Sequence, residues 1–334
     1  MQNVLDQSIG DGYALYHSDC VEAMRGLPDN SVDYSIFSPP FASLYTYSNS
    51  ERDMGNVANY AEFFNQYRYL VTEQYRTMKP GRLLSFHCML MPTTKQYHGY
   101  IGLQDFRGDL IRAYQDAGFI FHSEVVIWKD PVTAMQRTKA LGLLYKQIKK
   151  DSAMSRQGIP DYLVTMRKPG VNPDPVTKDP TMYTVDEWQR DASPVWNYGE
   201  SDPPVKQLLD WLRGFFRKPD DMPVWDRFPD PVWMDINPSE TLQYRSAREN
   251  ADERHICPLQ LEVIRRAIRL WTRPGDVVLS PFAGIGSELV MALELGRRAI
   301  GMELKRSYYE QAARNCKTAE AKTHQPSLFD FVAA

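Results

Sequence analysis

From residue 12 to residue 128, short apolar runs alternate with longer stretches whose apolar positions recur every three to four residues. Tyr13-Ala14-Leu15-Tyr16-His17 and Val32-Asp33-Tyr34-Ser35-Ile36-Phe37 read as strands. The second is halted by Pro39 and Pro40, which lack the amide that a ladder needs. Residues 21 to 27 read as a helix ended by Pro28-Asp29-Asn30. Tyr60 to Met78 has helical spacing and stops at Lys79-Pro80-Gly81. Leu83-Leu84-Ser85-Phe86 predicts a third strand, residues 109 to 117 a helix stopped by Gly118, and residues 119 to 128 a β-rich run. The pattern resumes late in the chain with a helix over 259 to 271, a strand over 276 to 279 and a helix over 287 to 295. A strand over 298 to 302 and a last helix over 307 to 318 follow. Such alternation predicts an α/β sheet.

Residues 130–245 lack clean periodicity and are rich in Pro, Trp, Asp and Arg. Five of the seven tryptophans fall there (Trp188, Trp196, Trp211, Trp225, Trp233) and read as a small core of their own rather than as base-stacking groups. The expected organisation is one α/β domain built from 1–129 and 246–324, an irregular insertion over 130–245, and a tail over 325–334. A length of 334 residues suits one large domain or two unequal ones. A net charge of -3 excludes a globally basic nucleic-acid binder but leaves room for local patches. The four cysteines form no CxxC pair, so neither a zinc site nor a disulfide framework is expected, no metal is called for, and a reducing cytoplasm fits. Asp6 interrupts the N-terminus before an apolar run develops, and no stretch approaches the roughly 20 apolar residues that span a bilayer.

Two loops carry the candidate chemistry. Pro281-Phe282-Ala283-Gly284-Ile285-Gly286-Ser287 joins a predicted strand to a predicted helix. Gly284 and Gly286 permit tight turning and close backbone approach to a ligand. The helix after them offers free N–H groups, and Glu303 ends the next strand, where a carboxylate can accept from both hydroxyls of a ribose. The loop lacks the third glycine of the dinucleotide fingerprint and the Lys-Ser/Thr of a P-loop, which favours S-adenosylmethionine over NAD or ATP. A plain strand-to-helix turn is the other reading of the glycines alone. The second loop, Ser38-Pro39-Pro40-Phe41, also follows a strand directly. Its prolines stiffen the backbone, so the Ser38 hydroxyl and the Pro39 carbonyl can accept hydrogen bonds from one amino group. Phe41 offers a face for a base, with stacking worth about 1–3 kcal/mol. Two acceptors on the amine hydrogens would aim its lone pair at an electrophilic methyl.

At these residues the chain resembles the amino-methyltransferases of DNA, in particular the beta group, whose motif order is circularly permuted. There the catalytic motif comes first, the target-recognition region follows and the cofactor motif comes last, as here. The resemblance covers roughly residues 12–129 and 230–316. It implies a Rossmann-like, S-adenosylmethionine-dependent methyltransferase sheet. Ser38, Pro39, Pro40 and Phe41 match the catalytic motif. Phe282, Gly284 and Gly286 match the cofactor loop, and Pro281, Ala283 and Ser287 beside them are expected to bind the cofactor with them. Glu303 matches the ribose-binding acid and Asp19 the acid near the adenine. His255-Ile256-Cys257-Pro258-Leu259-Gln260-Leu261 resembles the segment holding the methionine end, but departs from its usual form. Ser at the first motif position is commoner among cytosine-N4 enzymes, so methylation of the N4 amine of a flipped cytosine is expected. Adenine-N6 is the alternative. An RNA or small-molecule amine methyltransferase and a non-catalytic DNA-binding protein are further rivals. The chain has no Pro-Cys pair, which argues against 5-methylcytosine chemistry.

Double-stranded DNA is then the expected partner, with base flipping. Lys129, Arg137, Lys139, Lys146, Lys149, Lys150, Arg156, Arg167 and Lys168 meet only Asp130, Asp151 and Asp161, so this run reads as a phosphate-contacting surface or a solvated face. Tyr45, Tyr47, Arg52 and Asp53 lie on a loop that could close over the base or be ordinary surface. Gln325-Pro326-Ser327-Leu328-Phe329 resembles the peptide by which bacterial replication and repair proteins bind the sliding clamp, through Gln325, Leu328 and Phe329. A tail packing its own Leu328 and Phe329 is the other reading. A cognate restriction nuclease and a DNA-associated life in the cytoplasm, bacterial or phage-encoded, complete the expectation.

Overall fold

The computed structural model describes residues 4–41, 53–57, 59–128, 147, 149–155, 158–180, 183–192, 194–197, 240–243 and 259–323. Its centre is a nine-stranded sheet. Strands β1 (Asp6–Ile9), β2 (Tyr13–His17), β3 (Val32–Phe37) and β4 (Met78–Met89) come first in the chain. The pair β5 (Met91–Pro92) and β6 (Leu103–Gln104) forms a separate ribbon. Then come β7 (Ile120–Trp128), β8 (Asp161–Arg167), β9 (Val195–Asn197), β10 (Val277–Ser280) and β11 (Arg298–Glu303). The sheet order is β1-β2-β11-β10-β3-β4-β8-β7-β9. From β2 to β4 every pairing is parallel, so five strands end at one edge.

Helices cover both faces, as buried parallel strands require. On one side lie α1 (Cys20–Met24), α2 (Tyr60–Thr77) and α4 (Phe106–Asp116), the short α3 (Lys95–His98) preceding α4 in the chain. Asn59 caps α2 by accepting from the Glu62 amide at 3.0 Å. That helix buries Phe63, Tyr67, Leu70, Val71 and Gln74, one stripe at helical spacing. Each such large apolar side chain contributes about 1.5–3 kcal/mol. α5 (Val185–Asp191) comes next in the chain; on the opposite face lie α6 (Leu261–Trp271), α7 (Ser287–Glu294) and α8 (Arg306–Thr323). Strand alternation divides the core: Tyr34 and Ile36 of β3 face α6 to α8, and Phe37 faces α1, α2 and α4.

The chain leaves β3 through α2 toward β4, and leaves β10 through α7 toward β11, in the opposite direction across the sheet. The boundary between β10 and β3 is therefore a topological switch point, where open α/β sheets form a ligand crevice beyond the strand ends.

The structure redraws two elements. β4 begins at Met78, so Lys79-Pro80-Gly81 ends helix α2 yet lies within a strand. A register shift opposite Val32 and Tyr34 accommodates it, and Gly81 takes φ +73°. A Cβ there would stand 2.6 Å from the Asn172 amide nitrogen. Within the stretch assigned to the insertion, β8 pairs antiparallel with both β4 and β7 and so belongs to the main sheet. Later in the same stretch α5 docks on α6, the Arg269 guanidinium donating to Glu187 at 2.8 Å. Trp188 on α5 is 52% exposed and is no core residue. Trp211, Trp225 and Trp233 lie outside the described residues.

At the edge away from the switch-point crevice, a buried ion cluster ties β3, β4 and β10 together. Arg82 donates to Asp33 at 2.6 Å and to Asp276 at 2.8 Å; Asp33 also accepts from Lys79 at 2.6 Å and from the Val277 amide at 2.9 Å. Among the described residues Cys20, Cys88 and Cys316 are free and buried, no group of side chains could hold a metal ion, and no helix is long and apolar enough to cross a membrane.

Candidate active site

The glycine loop leaves β10 beside the end of β11. Gly284 and Gly286 adopt φ +53° and +89°, a region L side chains rarely enter. The Ala283 amide donates to the Met302 carbonyl at 2.8 Å, which pins the loop to β11. Glu303 is held by two backbone amides: Gly284 donates to Oε2 and Lys305 to Oε1, each at 2.8 Å. Each carboxylate oxygen keeps further acceptor capacity, so the group is fixed in direction and still able to take two hydroxyl donors. Burial pushes the Glu303 carboxyl up to about 7, the two amides pull against that rise, and the nearby Asp53 charge adds to it. Such a carboxylate beside a glycine turn and the start of an eight-residue helix fits the ribose of an adenosyl group.

The glycines divide their work. At Gly286 an added Cβ would meet Ala312 of α8 at 3.2 Å, so this glycine serves helix packing as well as the turn, and its close approach is to the chain's own helix. Phe282 is half-buried with its ring 5.9 Å from that of Phe37. Ser287 opens α7, and the buried Glu288 beside it is pushed up to about 8 by desolvation. Asp19 follows β2, whose His17 is paired with Glu303, so the two acids stand at neighbouring strand ends. The Asp19 carboxylate accepts from the Glu22 amide at 3.0 Å and caps α1.

Across the switch point, Leu279 of β10 is paired with Ser35 of β3, and the Ser35 hydroxyl donates to the Leu279 carbonyl at 2.9 Å. The Ser-Pro-Pro-Phe loop therefore emerges next to the glycine loop. Ser38 is half-buried and Pro39 buried. One expectation is corrected here. Phe41 is 3% exposed and its ring packs 6.0 Å from Phe106, because α4 closes over it; it presents no open face to a base.

Sequence reasoning missed two residues at this loop. Ser38 Oγ lies 3.1 Å from His87 Nδ1, and His87 Nε2 lies 3.0 Å from Asp161 Oδ2. Both side chains are buried, His87 completely. The only signal was a histidine inside the apolar run Leu83-Leu84-Ser85-Phe86-His87-Cys88. Asp161 stands 74 residues later, in a stretch that reads as a basic surface.

The rest of the expected surface is less gathered. Lys168 is buried, donating to Asn30 at 2.8 Å and to the Met78 carbonyl at 2.7 Å, and is no phosphate contact. Lys149 and Lys150 are exposed. Asp53 is buried and caps a short turn through the Gly55 amide at 2.8 Å. Lys129, Arg137, Lys139, Lys146, Arg156, Tyr45, Tyr47, Arg52, His255 to Pro258, and the tail with Gln325, Leu328 and Phe329 lie outside the described residues.

Comparison with known proteins agrees with this geometry. The type II methyltransferase M.BglII of Bacillus subtilis is 21% identical over 89% of this chain and 67% of its own length. M.BamHI of Bacillus amyloliquefaciens is 22% identical over 87% of this chain, which spans only 54% of that relative. The solved PvuII DNA methyltransferase (cytosine-N4-specific) superposes with a TM-score of 0.58 at 15% identity, covering 98% of this chain and 92% of that one, a likeness of fold. The N6_N4_Mtase family model, described as DNA methylase, matches residues 32–314. By that match, which takes in both loops, the chain belongs to the N6/N4 DNA methylase family.

Proposed function

We propose that this chain moves a methyl group from S-adenosyl-L-methionine to the exocyclic N4 amine of a cytosine in double-stranded DNA. The observation that carries this reading is the adjacency of Ser38-Pro39 and the Gly284–Glu303 pair across the β10/β3 switch point. Bound there, the cofactor supplies a methyl carbon already made electrophilic by its sulfonium. Glu303 takes the ribose hydroxyls, Asp19 lies toward the adenine, and Pro281, Phe282, Ala283, Gly284, Gly286 and Ser287 form the floor. The Ser38 hydroxyl and the Pro39 carbonyl take the amine hydrogens and turn its lone pair toward the methyl, so catalysis rests on positioning. An amine inside a duplex is out of reach, so the base leaves the stack. Pro40 keeps the loop stiff, and Phe41 supports it from the core.

Cytosine is favoured by Ser38 at the first motif position and by the cytosine-N4 specificity of the PvuII enzyme. Adenine-N6 is the second reading, which the family equally accommodates. Duplex DNA, RNA and free nucleosides offered with methyl-labelled cofactor test the substrate class. Label in duplex DNA alone is expected; label confined to RNA or nucleosides would overturn the DNA assignment. The further partners this reading assigns are a sliding clamp, engaged by Gln325, Leu328 and Phe329, and a restriction nuclease of matching specificity. Deleting residues 325–334 should abolish clamp binding and spare methylation of short duplexes; unchanged clamp affinity would remove that partner.

A further inference from the structure

The methyl-transfer reading leaves a proton unassigned. An amine that gains a methyl group must lose a hydrogen, and a serine hydroxyl is a very weak base. A carboxylate at the same position would accept the proton outright. Ser38 therefore needs a base behind it, and the structure supplies one buried chain of hydrogen bonds there.

We infer that His87 and Asp161 are positioning residues that orient the Ser38 hydroxyl and, through it, take up the proton released by the substrate amine; this rests on the methyl-transfer reading above. The strands build the chain. Phe37 of β3 is paired with Phe86 of β4, so Ser38 and His87 follow side by side at the sheet edge. Met89 of β4 is paired with Asp161 of β8, which puts Asp161 diagonal to His87 on the adjacent antiparallel strand. The contacts are 3.1 Å from Ser38 Oγ to Nδ1 and 3.0 Å from Nε2 to Asp161 Oδ2.

The chemistry of the partners fixes the direction of each bond. An ionised carboxylate only accepts, so Nε2 carries the hydrogen and donates to Asp161. Nδ1 is then a lone pair, and the Ser38 hydroxyl donates to it. With its own hydrogen engaged, Ser38 Oγ turns its lone pairs outward as an acceptor for the amine. This is the logic by which a buried aspartate sets a histidine tautomer in serine hydrolases, put to a different use: here the serine stays uncharged and forms no bond to carbon. As the amine lone pair bonds to the methyl carbon, the electrons of the broken carbon–sulfur bond remain on sulfur. The amine proton passes to Ser38 Oγ while the Ser38 proton passes to His87 Nδ1. The resulting imidazolium is held against the Asp161 carboxylate, where burial strengthens the attraction. The proton returns through Ser38, which is half-buried at the edge, once the product has left.

Asp161→Asn separates this role from mere packing, because it keeps the shape and reverses the bonding. The asparagine amide donates to Nε2, the hydrogen shifts to Nδ1, and Ser38 becomes the acceptor from His87 instead of from the amine. Two measurements read this. Nitrogen-15 NMR of the cofactor-free protein should find His87 with its hydrogen on Nε2, and on Nδ1 in Asp161→Asn. Single-turnover methylation should fall by about 10²-fold or more in Asp161→Asn and in His87→Gln, with cofactor and DNA dissociation constants and the melting temperature of Asp161→Asn close to wild type. Ser38→Asp in the His87→Gln background should recover part of the rate, since its carboxylate takes the proton directly. A wild-type His87 protonated on Nδ1 alone, or variants within threefold of a wild type that labels DNA, would overturn the relay alone. A wild type that labels no base would overturn the methyl-transfer reading and the relay with it.

Discussion

At the scale of single residues, Glu303 joins local geometry to the proposed cofactor binding. Its carboxyl is pushed up to about 7 by burial, with the Lys305 and Gly284 amides opposing. Below that pH it is protonated and loses acceptor capacity for the two ribose hydroxyls that the proposed function assigns to it. Cofactor affinity should therefore rise as pH increases through about 7 and level off above it. Calorimetry at pH 6 and pH 8 should register this in the wild type, and Glu303→Gln should bind more weakly by about 1–3 kcal/mol with little pH dependence. Equal wild-type affinity at both values would remove the carboxylate from the ribose. Glu288 gives a second titration, one of stability. Its carboxyl is moved by burial from 4.5 to about 8. Between those values the folded chain binds more protons than the unfolded one, so stability falls as pH rises from about 4.5 to about 8. Glu288→Gln should reduce that slope in urea midpoints measured at pH 5 and pH 8.

At the scale of elements, the α7–α8 contact depends on a missing side chain. Gly286→Ala would force an L residue to φ +89° and drive its Cβ to 3.2 Å from Ala312. The left-handed backbone alone costs roughly 1–2 kcal/mol. Urea unfolding should find at least that loss, and cofactor affinity should fall because α7 begins at the glycine loop. Much of this layer was legible. Strands β2 and β3 fall where their apolar runs put them, β3 ending just before Pro39 and Pro40, and helix α2 runs from Tyr60 almost to the expected stop. Strand β8 was not legible as part of the sheet. Its sequence, Asp161-Tyr162-Leu163-Val164-Thr165-Met166-Arg167, is a plain apolar run, but its pairing with β4 is long-range and leaves no local mark. The same holds for the site. Ser38, Gly284 and Glu303 announce themselves by turn chemistry beside strands. His87 and Asp161 do not, because only the β4–β8 register brings them together.

At the scale of the molecule, the candidate site and a buried ion cluster sit at opposite edges of one sheet. The Arg82 guanidinium, 2% exposed, joins Asp33 and Asp276 where β3, β4 and β10 begin. Arg82→Met would leave two buried carboxylates without their shared cation and should cost about 3–5 kcal/mol. Chemical denaturation would measure it, and methylation per folded molecule should remain near wild type, since both reactive loops lie beyond the far ends of these strands. A loss of rate without a loss of stability would contradict this division. The parallel strands β2, β11, β10, β3 and β4 then act as a ruler that brings Asp19, Glu303, the glycine loop and Ser38 to one edge although they span most of the chain.

The measurement that bears most directly on this arrangement is mass spectrometry of nucleosides from genomic DNA incubated with the protein and isotope-labelled S-adenosyl-L-methionine. The two loops flanking the β10/β3 boundary predict labelled 4-methyl-2′-deoxycytidine, absent with Ser38→Ala. Labelled N6-methyl-2′-deoxyadenosine would keep the site and change the base. Label on cytosine C5, or no labelled base in DNA from several genomes by a protein that binds the cofactor, would contradict the account.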